Sequence, residues 1–260
     1  ALLLYTVPES PRWLVKQNKE TEARRIIKEV SNADIEQEVH EIRESLVATG
    51  NCGEKLFQRK YRKPILYAFL IATFNQLSGI NAILYYAPRI FEMSGVFTDS
   101  AMMQSIVIGL TNLTFTMIGM ILIDQVGRKK LLYIGSIGMA ISLALVAKGF
   151  CQDTFSGYYM LACLMGFIAF FAISLGAVIW VLISEVFPNS VRSKGQVLGS
   201  MTHWVWSALL SWMFPVFIRT GGTFIFSFFA IMMFLSFFFA LRLPETKNKS
   251  LEQIQKELTN

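Results

Sequence analysis

The chain has 260 residues, of which 53% are hydrophobic and only 16% are charged, and it contains 22 Phe and 12 Met. Because a typical soluble domain has about 25% charged residues, this composition excludes an ordinary soluble globular protein. The net charge of +6 does not predict nucleic-acid binding, since the basic residues fall in short clusters between apolar stretches rather than along one soluble face.

The chain begins with a short apolar stretch, residues 1–7 (ALLLYTV). It is too short to cross a membrane and lacks the features of a signal peptide, so we interpret it as the end of a preceding transmembrane span. The following segment, 8–64, is rich in charge. Ser10 can cap a helix that has Pro11 at its first position.

Further along this segment, apolar residues recur at helical spacing. They are Ile26, Ile27, Val30, Ile35, Val39, Ile42 and Leu46. The pattern predicts two or three short amphipathic helices. We expect residues 8–64 to form a cytoplasmic linker made of these helices.

The remainder of the chain is apolar, with only 13 charged residues in the 177 positions of 65–241. Six stretches without any charged residue, named spans 1 to 6 here, are 65–88, 100–123, 131–147, 154–184, 195–218 and 220–241. A helix needs about 20 apolar residues to cross a bilayer, and span 3, the shortest, is completed when Lys148 reaches outward from its end. The sequence predicts an all-α membrane protein with a six-span transmembrane domain over 65–242.

A last cytoplasmic helix is predicted in the tail, residues 243–260. Ser250 and Gln253 form a capping-box pattern there, and the apolar residues of that helix are Leu251, Ile254 and Leu258.

Basic residues are concentrated before span 1 and in the loops that follow spans 2 and 4. They are Lys55, Arg59, Lys60, Arg62, Lys63, Arg128, Lys129, Lys130, Arg192 and Lys194. The opposite loops contain only Arg89, Lys148 and Arg219. By the positive-inside rule, both polar ends are cytoplasmic in a multi-pass protein of the cell membrane.

Span 1 concentrates uncharged polar side chains, which are costly in a bilayer unless they are paired or functional. Asn75, Gln76 and Asn81 carry amides that donate and accept hydrogen bonds, which suits a neutral ligand covered in hydroxyl groups. The alternative is that these amides only join one helix to another. On an unbroken helix Asn81 shares a face with Tyr85 and lies about 140° from Gln76. We expect Gly79 and Pro88 to loosen the helix and bring both amides inward.

Polar and aromatic residues in the other spans are fewer. Asn112 is the only amide of span 2, Gly176 and Trp180 share one face of span 4, and His203 precedes Trp204 in span 5. Indole rings stack on the C–H faces of sugars but also form interfacial belts, and both readings stay open for Trp180. For His203, packing or a hydrogen bond is favoured over proton carriage.

The sequence contains no nucleophile–base pair, phosphate-binding loop or metal-ligand cluster. Its three cysteines, Cys52, Cys151 and Cys163, have neither zinc-site nor disulfide-framework spacing. We therefore predict that the protein is not an enzyme and carries no cofactor.

Two predicted cytoplasmic loops combine acidic and basic residues. Asp124 and Arg128 stand between spans 2 and 3, and Glu185 and Arg192 stand between spans 4 and 5. Such charges can form an ion-pair network that opens in one conformational state. The alternative is that they only set the membrane topology, and their spacing does not decide between the two.

Five signatures, in order and spacing, resemble those of the sugar porter family of the major facilitator superfamily. They are PESPRWL (8–14), QLSGIN (76–81), DQVGRK (124–129), EVFPNSVR (185–192) and PETK (244–247). The sequences of these five motifs are similar to those of bacterial proton-coupled xylose, arabinose and galactose transporters and of animal glucose facilitators. The resemblance implies a twelve-span protein made of two six-span halves, of which this chain is the cytoplasmic linker and the C-terminal half.

The resemblance also implies roles for single residues. The substrate-binding positions are Gln76, Asn81, Asn112, Gly176 and Trp180, with Trp204 and Asn75 beside them. The cytoplasmic gating network is Asp124, Arg128, Glu185, Arg192 and Glu245. The chain departs from the family at Asn75, where a second glutamine is usual, at Ala177, where proline is usual, and at His203, where glutamine or asparagine is frequent.

These observations predict transmembrane transport of a hexose or pentose by alternating access, as a proton symporter. The acid for proton coupling belongs to the other half in this family. The expected partners are the monosaccharide, protons where transport is coupled, the lipid bilayer and the N-terminal six-span half. The alternative is a non-transporting membrane sugar sensor. An exporter of drugs or organic ions would need a charge inside the spans, and the sequence has none there.

Overall fold

A computed structural model describes residues 9–30, 35–36, 38–40, 42–43, 55–93, 98–152, 157–188, 190–219 and 221–247. The predicted end of a preceding span (1–7) and the predicted helix start at Ser250 lie outside the described residues, as do Leu46 and Cys52. The chain divides into two compact units, Ala1–Lys55 and Leu56–Asn260. The predicted division into a linker (8–64), a transmembrane domain (65–242) and a tail stays a prediction.

The first unit contains the short helices α1 (Pro11–Lys16) and α2 (Glu20–Val30), and residues 35–36, 38–40 and 42–43 are also helical. Pro11 stands at the first position of α1 as predicted, but the Ser10 hydroxyl makes no capping hydrogen bond. Ser10 is exposed, so water can satisfy the N–H groups of that helix start. Leu14 and Ala23 are buried, and Ile42 packs against them.

Ion pairs lie on the surface of the first unit. Arg24 Nε donates to Glu36 Oε1 at 2.9 Å, and Arg43 donates to Glu20. The hydrogen bond from Arg43 holds the pKa of the Glu20 carboxyl below its ordinary value, and that from Arg24 to Glu36 raises the pKa of Arg24. Because these groups are solvated, the pairs contribute little to stability.

The second unit contains six helical stretches that are long and apolar enough to cross a membrane among the described residues, which confirms the six predicted spans. Span 1 comprises α3 (Arg62–Leu77) and α4 (Ile80–Met93), after a 3-10 turn at Arg59–Tyr61. Spans 2 and 3 are α5 (Thr98–Val126) and α6 (Arg128–Gln152). Span 4 comprises α7 (Gly157–Phe171), a π-helical turn (Ala172–Gly176) and α8 (Ala177–Glu185). Spans 5 and 6 are α9 (Arg192–Arg219) and α10 (Gly222–Arg242).

Span 3 lies between span 6 and span 4. Phe150 of span 3 stacks on Phe226 of span 6 with ring centroids 5.4 Å apart, and the Ser136 and Ser236 hydroxyls lie 3.1 Å from each other within the same interface. These contacts hold span 6 against span 3 through both stacking and a buried hydrogen bond.

Span 5 packs on the first half of span 1 and on the end of span 4. Gly199 allows the close approach, because a Cβ there would lie 2.8 Å from Ile183 Cδ1. Gly195 and Gly199 form a GxxxG pattern, which permits such close packing between helices. Spans 2 and 5 are the least buried of the six. Their exposed side chains are largely apolar, as in Leu113 and Met201.

Candidate functional site

Span 1 is interrupted at Ser78 and Gly79, where α3 ends and α4 begins. Gly79 has a φ of +82°, in the left-handed region that favours glycine. A Cβ at this position would lie 2.5 Å from two ring carbons of Phe229 in span 6. The Ser78 hydroxyl donates to the carbonyl oxygen of Asn75 at 2.6 Å and so closes the end of α3. The expected bend at Gly79 is thus present as a single tight turn.

A second irregularity lies at Tyr86, whose φ of −109° and ψ of 16° interrupt the helix two residues before Pro88. Proline lacks an N–H and disturbs the preceding turn, which accounts for the kink. The Tyr86 hydroxyl donates to the carbonyl oxygen of Ser211 at 3.1 Å. Tyr85 is 61% exposed and takes no part in the hydrogen bonds recorded for Asn81.

The break at Gly79 brings two of the predicted site residues into contact. Asn81 Nδ2 donates to Gln76 Oε1 at 3.1 Å and to Ser207 Oγ of span 5 at 2.7 Å. Gln76 is only 1% exposed. Ser207 was not predicted from the sequence; the available signal was its position one helical turn after His203.

His203 lies directly against Gln76. The amide nitrogen Nε2 of Gln76 is 3.0 Å from Nε2 and 3.1 Å from Nδ1 of the imidazole. The His203 ring also lies between two indoles, with centroids 5.0 Å from Trp180 and 5.3 Å from Trp204. The hydrogen-bonded interpretation of this histidine agrees with the geometry, and one ring nitrogen accepts from the amide according to the tautomer.

The π-helical turn of span 4 lies beside the same cluster. A π turn shifts the backbone hydrogen-bond register and leaves groups that need other partners. Asn75, which is 2% exposed, donates from Nδ2 to the carbonyl oxygen of Leu175 at 3.2 Å. Gly119 of span 2 permits close contact with this turn, since a Cβ there would lie 2.9 Å from Ile173 Cα. The irregular turns of spans 1 and 4 are therefore joined by a side-chain hydrogen bond.

The other predicted binding residues differ in their placement. Trp180 and Trp204 flank His203 and are 43% and 61% exposed. Gly176 ends the π turn immediately before Ala177. Asn112 is half-buried on span 2. Its backbone carbonyl oxygen accepts a 2.7 Å hydrogen bond from the Thr116 hydroxyl. Its side chain makes none of the hydrogen bonds recorded for Gln76, Asn81 and His203.

A charged cluster occupies the end of the bundle that carries the loops after spans 2 and 4. Arg128 lies at its centre, with Nη2 3.0 Å from Glu185 Oε1 and Nη1 3.1 Å from Asp124 Oδ1. Thr246, a residue of the PETK signature for which no role was predicted, donates from Oγ1 to Glu185 Oε2 at 2.6 Å. The Arg128 and Glu185 side chains are 13% and 19% exposed, whereas that of Asp124 is 76% exposed.

Glu245 completes this cluster through backbone groups. Its Oε1 accepts hydrogen bonds from the N–H groups of Arg128, Thr246 and Lys247 at 3.0 to 3.1 Å. The carboxylate thereby caps the start of span 3, where a negative charge is favoured. Arg192 donates from Nε to the carbonyl oxygen of Phe187 at 3.4 Å. Among the predicted network residues, Asp124, Glu185 and Glu245 thus contact Arg128.

The buried cluster consists of uncharged groups that can bind a neutral ligand. Amides and an imidazole offer donors and acceptors, and half-exposed indoles offer apolar faces. In the part of the chain that the structure describes, no recorded ion pair includes a residue of this cluster. The six apolar helices define a polytopic membrane domain, and the uncharged cluster lies on spans 1, 4 and 5.

The chain belongs to the family of sugar (and other) transporters, which its sequence matches over residues 1–258. It is 38% identical to the arabinose-proton symporter of Bacillus subtilis, covering 98% of this chain and 56% of that protein. Identity with the D-xylose-proton symporter of Escherichia coli is 36%, covering 98% and 53%.

Among solved structures, the fold is similar to that of the major facilitator proton:xylose symporter XylE bound to 6-bromo-6-deoxy-D-glucose. The TM-score is 0.84 at 35% sequence identity, covering 99% of this chain and 56% of that one. The chain thus has the fold of a six-helix half of a sugar porter of the major facilitator superfamily. It spans about half the length of the curated relatives that it matches.

Proposed function

We propose that this chain is the C-terminal, sugar-binding half of a membrane transporter for a monosaccharide, a hexose or a pentose. The observation that carries the proposal is the cluster of Gln76, Asn81 and His203 beside the exposed indoles of Trp180 and Trp204. The names of the relatives, which are arabinose and xylose symporters, support this class of substrate.

Gln76 is the central binding group in this proposal. Its amide oxygen accepts from Asn81 and its amide nitrogen contacts His203, so both ends of the amide are already engaged. A sugar hydroxyl that accepts a hydrogen bond from the Gln76 amide nitrogen therefore competes with the imidazole ring. Trp180 is exposed enough to receive an apolar sugar face. Asn112, Gly176 and Trp204 border the sugar, while Asn75 acts by holding the π turn.

Transport proceeds by alternating access in this proposal. Asn75 links the break in span 1 to the π turn in span 4, and α8 continues from that turn to Glu185. A shift at the sugar site can thus be passed to the cluster around Arg128. That network of Asp124, Arg128, Glu185, Arg192 and Glu245 ties the cytoplasmic ends together and opens when the site faces the cytoplasm. Rocking requires the N-terminal half as the second wall of the cavity.

The same proposal assigns orientation and coupling. The polar segments, including the linker 8–64 and the tail from 243, lie in the cytoplasm, and the protein resides in the cell membrane. Protons accompany the sugar through an acid contributed by the other half, as the names of the symporter relatives suggest. A sugar sensor with the same site remains the second candidate.

Uptake of labelled xylose, arabinose, glucose and galactose tests the proposal. Cells without their own sugar uptake express the complete gene product that contains this chain, with and without a protonophore. We expect accumulation of at least one sugar, its loss with the protonophore, and its loss in Gln76→Ala. Thr114→Ala, on the exposed side of span 2, is the matched control and retains uptake.

Other outcomes separate the alternatives. Uptake that equilibrates without accumulation and ignores the protonophore contradicts proton coupling and shows facilitated diffusion. Sugar binding without uptake by the complete protein supports the sensor. Neither binding nor uptake of any of the four sugars overturns the monosaccharide assignment.

A further inference from the structure

A groove of about 710 Å³ lies where span 1 begins, between that span and the first turns of span 5. Its upper part, where span 1 begins, is formed by Arg59 and Arg62 together with Phe57 and Gln58. Its lower wall is apolar and descends along span 1. That wall is made of Ile65, Leu66, Phe69 and Leu198. The groove is therefore amphipathic along the direction in which the helices cross the membrane.

The charge at the top of the groove comes from a run of basic residues. The sequence from 55 to 63, KLFQRKYRK, has five basic residues and no acidic one. Within the residues that the structure describes, no recorded ion pair includes Arg59 or Arg62. Both arginines are exposed, so their guanidinium groups are available to an anion.

The apolar wall selects among possible anions. Leu66 is 51% exposed and Phe69 is 43% exposed, one helical turn apart on the side of span 1 that faces the groove. A free phosphate ion would use the guanidinium groups but leave this wall uncovered. A neutral sugar would use neither the charge nor the depth of the wall. A molecule with a phosphate at one end and a hydrocarbon chain at the other satisfies both parts.

We propose that this groove is a binding site for an anionic phospholipid. Arg59 and Arg62 bind the phosphate, for which planar guanidinium groups are well suited, and an acyl chain lies along Leu66 and Phe69. Basic clusters next to a membrane span attract anionic lipids in general. The groove adds a defined place where one such lipid is held. This site is separate from the cluster around Gln76.

Lipid retention by the purified complete protein tests the site directly. The protein in neutral detergent is mixed with equal amounts of phosphatidylglycerol and phosphatidylcholine, and bound lipid is counted by native mass spectrometry. We expect at least a tenfold preference for phosphatidylglycerol. Arg59→Gln/Arg62→Gln should reduce this preference about tenfold, and Leu66→Asn/Phe69→Asn should reduce retention of both lipids.

The matched control is Lys129→Gln/Lys130→Gln, which removes the same charge from another loop on the same side and should change retention less than twofold. Arg59→Lys/Arg62→Lys keeps the charge and should retain an intermediate preference.

Millimolar inorganic phosphate or glycerol phosphate should not displace the lipid. Unchanged retention in the glutamine variant overturns the proposal. Displacement by phosphate alone, which shows a simple anion site, also overturns it. If the purified protein retains no lipid, the proposal is also overturned; this result is expected if the other half of the protein fills the groove. Sugar uptake is not part of this readout, so the two proposals fail independently.

Discussion

Asn81 donates a 3.1 Å hydrogen bond to the amide oxygen of Gln76 across the turn at Gly79. The two side chains point in different directions on a regular helix, and they meet because the chain takes a left-handed conformation between them. Asn75, which precedes the turn within α3, bonds to the π turn of span 4. The turn at Gly79 therefore brings together two of the three neighbouring amides.

Gly79→Ala tests the importance of this turn. The substitution forces an L-residue into φ +82° and places a Cβ against Phe229. We expect a loss of roughly 2–5 kcal/mol in the free energy of unfolding, from backbone strain and overpacking together. Thermal unfolding of the purified protein measures it. Gly221→Ala is the matched control, since Gly221 also has a positive φ, +130°, but nothing lies within 4 Å of its Cβ position. Equal effects of the two variants would contradict the close packing at Gly79.

A double-mutant cycle on Gln76 and Asn81 tests the amide pair. Each single change to Ala should weaken sugar binding by about 1–3 kcal/mol, the scale of a buried hydrogen-bonding group left without a partner. Because the two side chains touch, their effects should not add, and the coupling should exceed about 0.5 kcal/mol. Calorimetry measures the sugar affinity of the complete protein, of the two single variants and of the double variant. Strict additivity would show that the two amides act separately on the ligand.

His203→Ala tests whether the imidazole competes with the sugar for Gln76. Removing the ring frees one N–H of the Gln76 amide nitrogen, which still donates to Asn75 Oδ1 at 3.5 Å, so we expect affinity to rise roughly fivefold, about 1 kcal/mol. His40→Ala is the control, since His40 is the second of the two histidines and lies in the first unit. A tenfold loss of affinity in His203→Ala would instead identify the ring as a direct sugar ligand.

The charged cluster offers two carboxylates on one arginine. Glu185 is largely buried beside Arg128, whereas Asp124 is 76% exposed. Glu185→Gln should destabilise the protein by roughly 3 kcal/mol, since it leaves a buried charge uncompensated, and should slow sugar uptake. Asp124→Asn should cost below about 1 kcal/mol. Unfolding and initial uptake rates of the complete protein measure both. Similar effects of the two variants would contradict the assignment of Glu185 as the main partner of Arg128.

Glu245 can be tested by comparing two replacements. Its Oε1 accepts from three backbone N–H groups, and glutamine keeps an oxygen at that place whereas alanine does not. We expect Glu245→Ala to lower the free energy of unfolding by about 1–3 kcal/mol. Glu245→Gln should retain much of the stability. If the two variants are equally unstable, the negative charge at the start of span 3 is the important property rather than the acceptor.

Much of the architecture follows from sequence patterns. The six spans are visible as long charge-free stretches, because a charge inside hydrocarbon is costly whatever the surrounding fold. The polar residues of span 1 and the charges around Arg128 were also recognisable, since few such groups occur near the spans. The roles of Ser207 and Thr246 were not, because a single hydroxyl in a helix or tail is common and acquires a partner only after packing.

The charge-free stretches are enough to predict six apolar spans with uncharged amides and indoles in this chain, because bilayer burial acts on each stretch separately. The sequence does not reveal that Gln76 meets Asn81 and His203, that Asn75 bonds to Leu175, or that Arg128 is shared between Asp124 and Glu185; these contacts emerge from the packed helices. Each of these contacts depends on a local backbone irregularity or on the approach of distant helices. Hydrogen bonds are short-ranged and directional, so residue type and spacing alone cannot specify their partners.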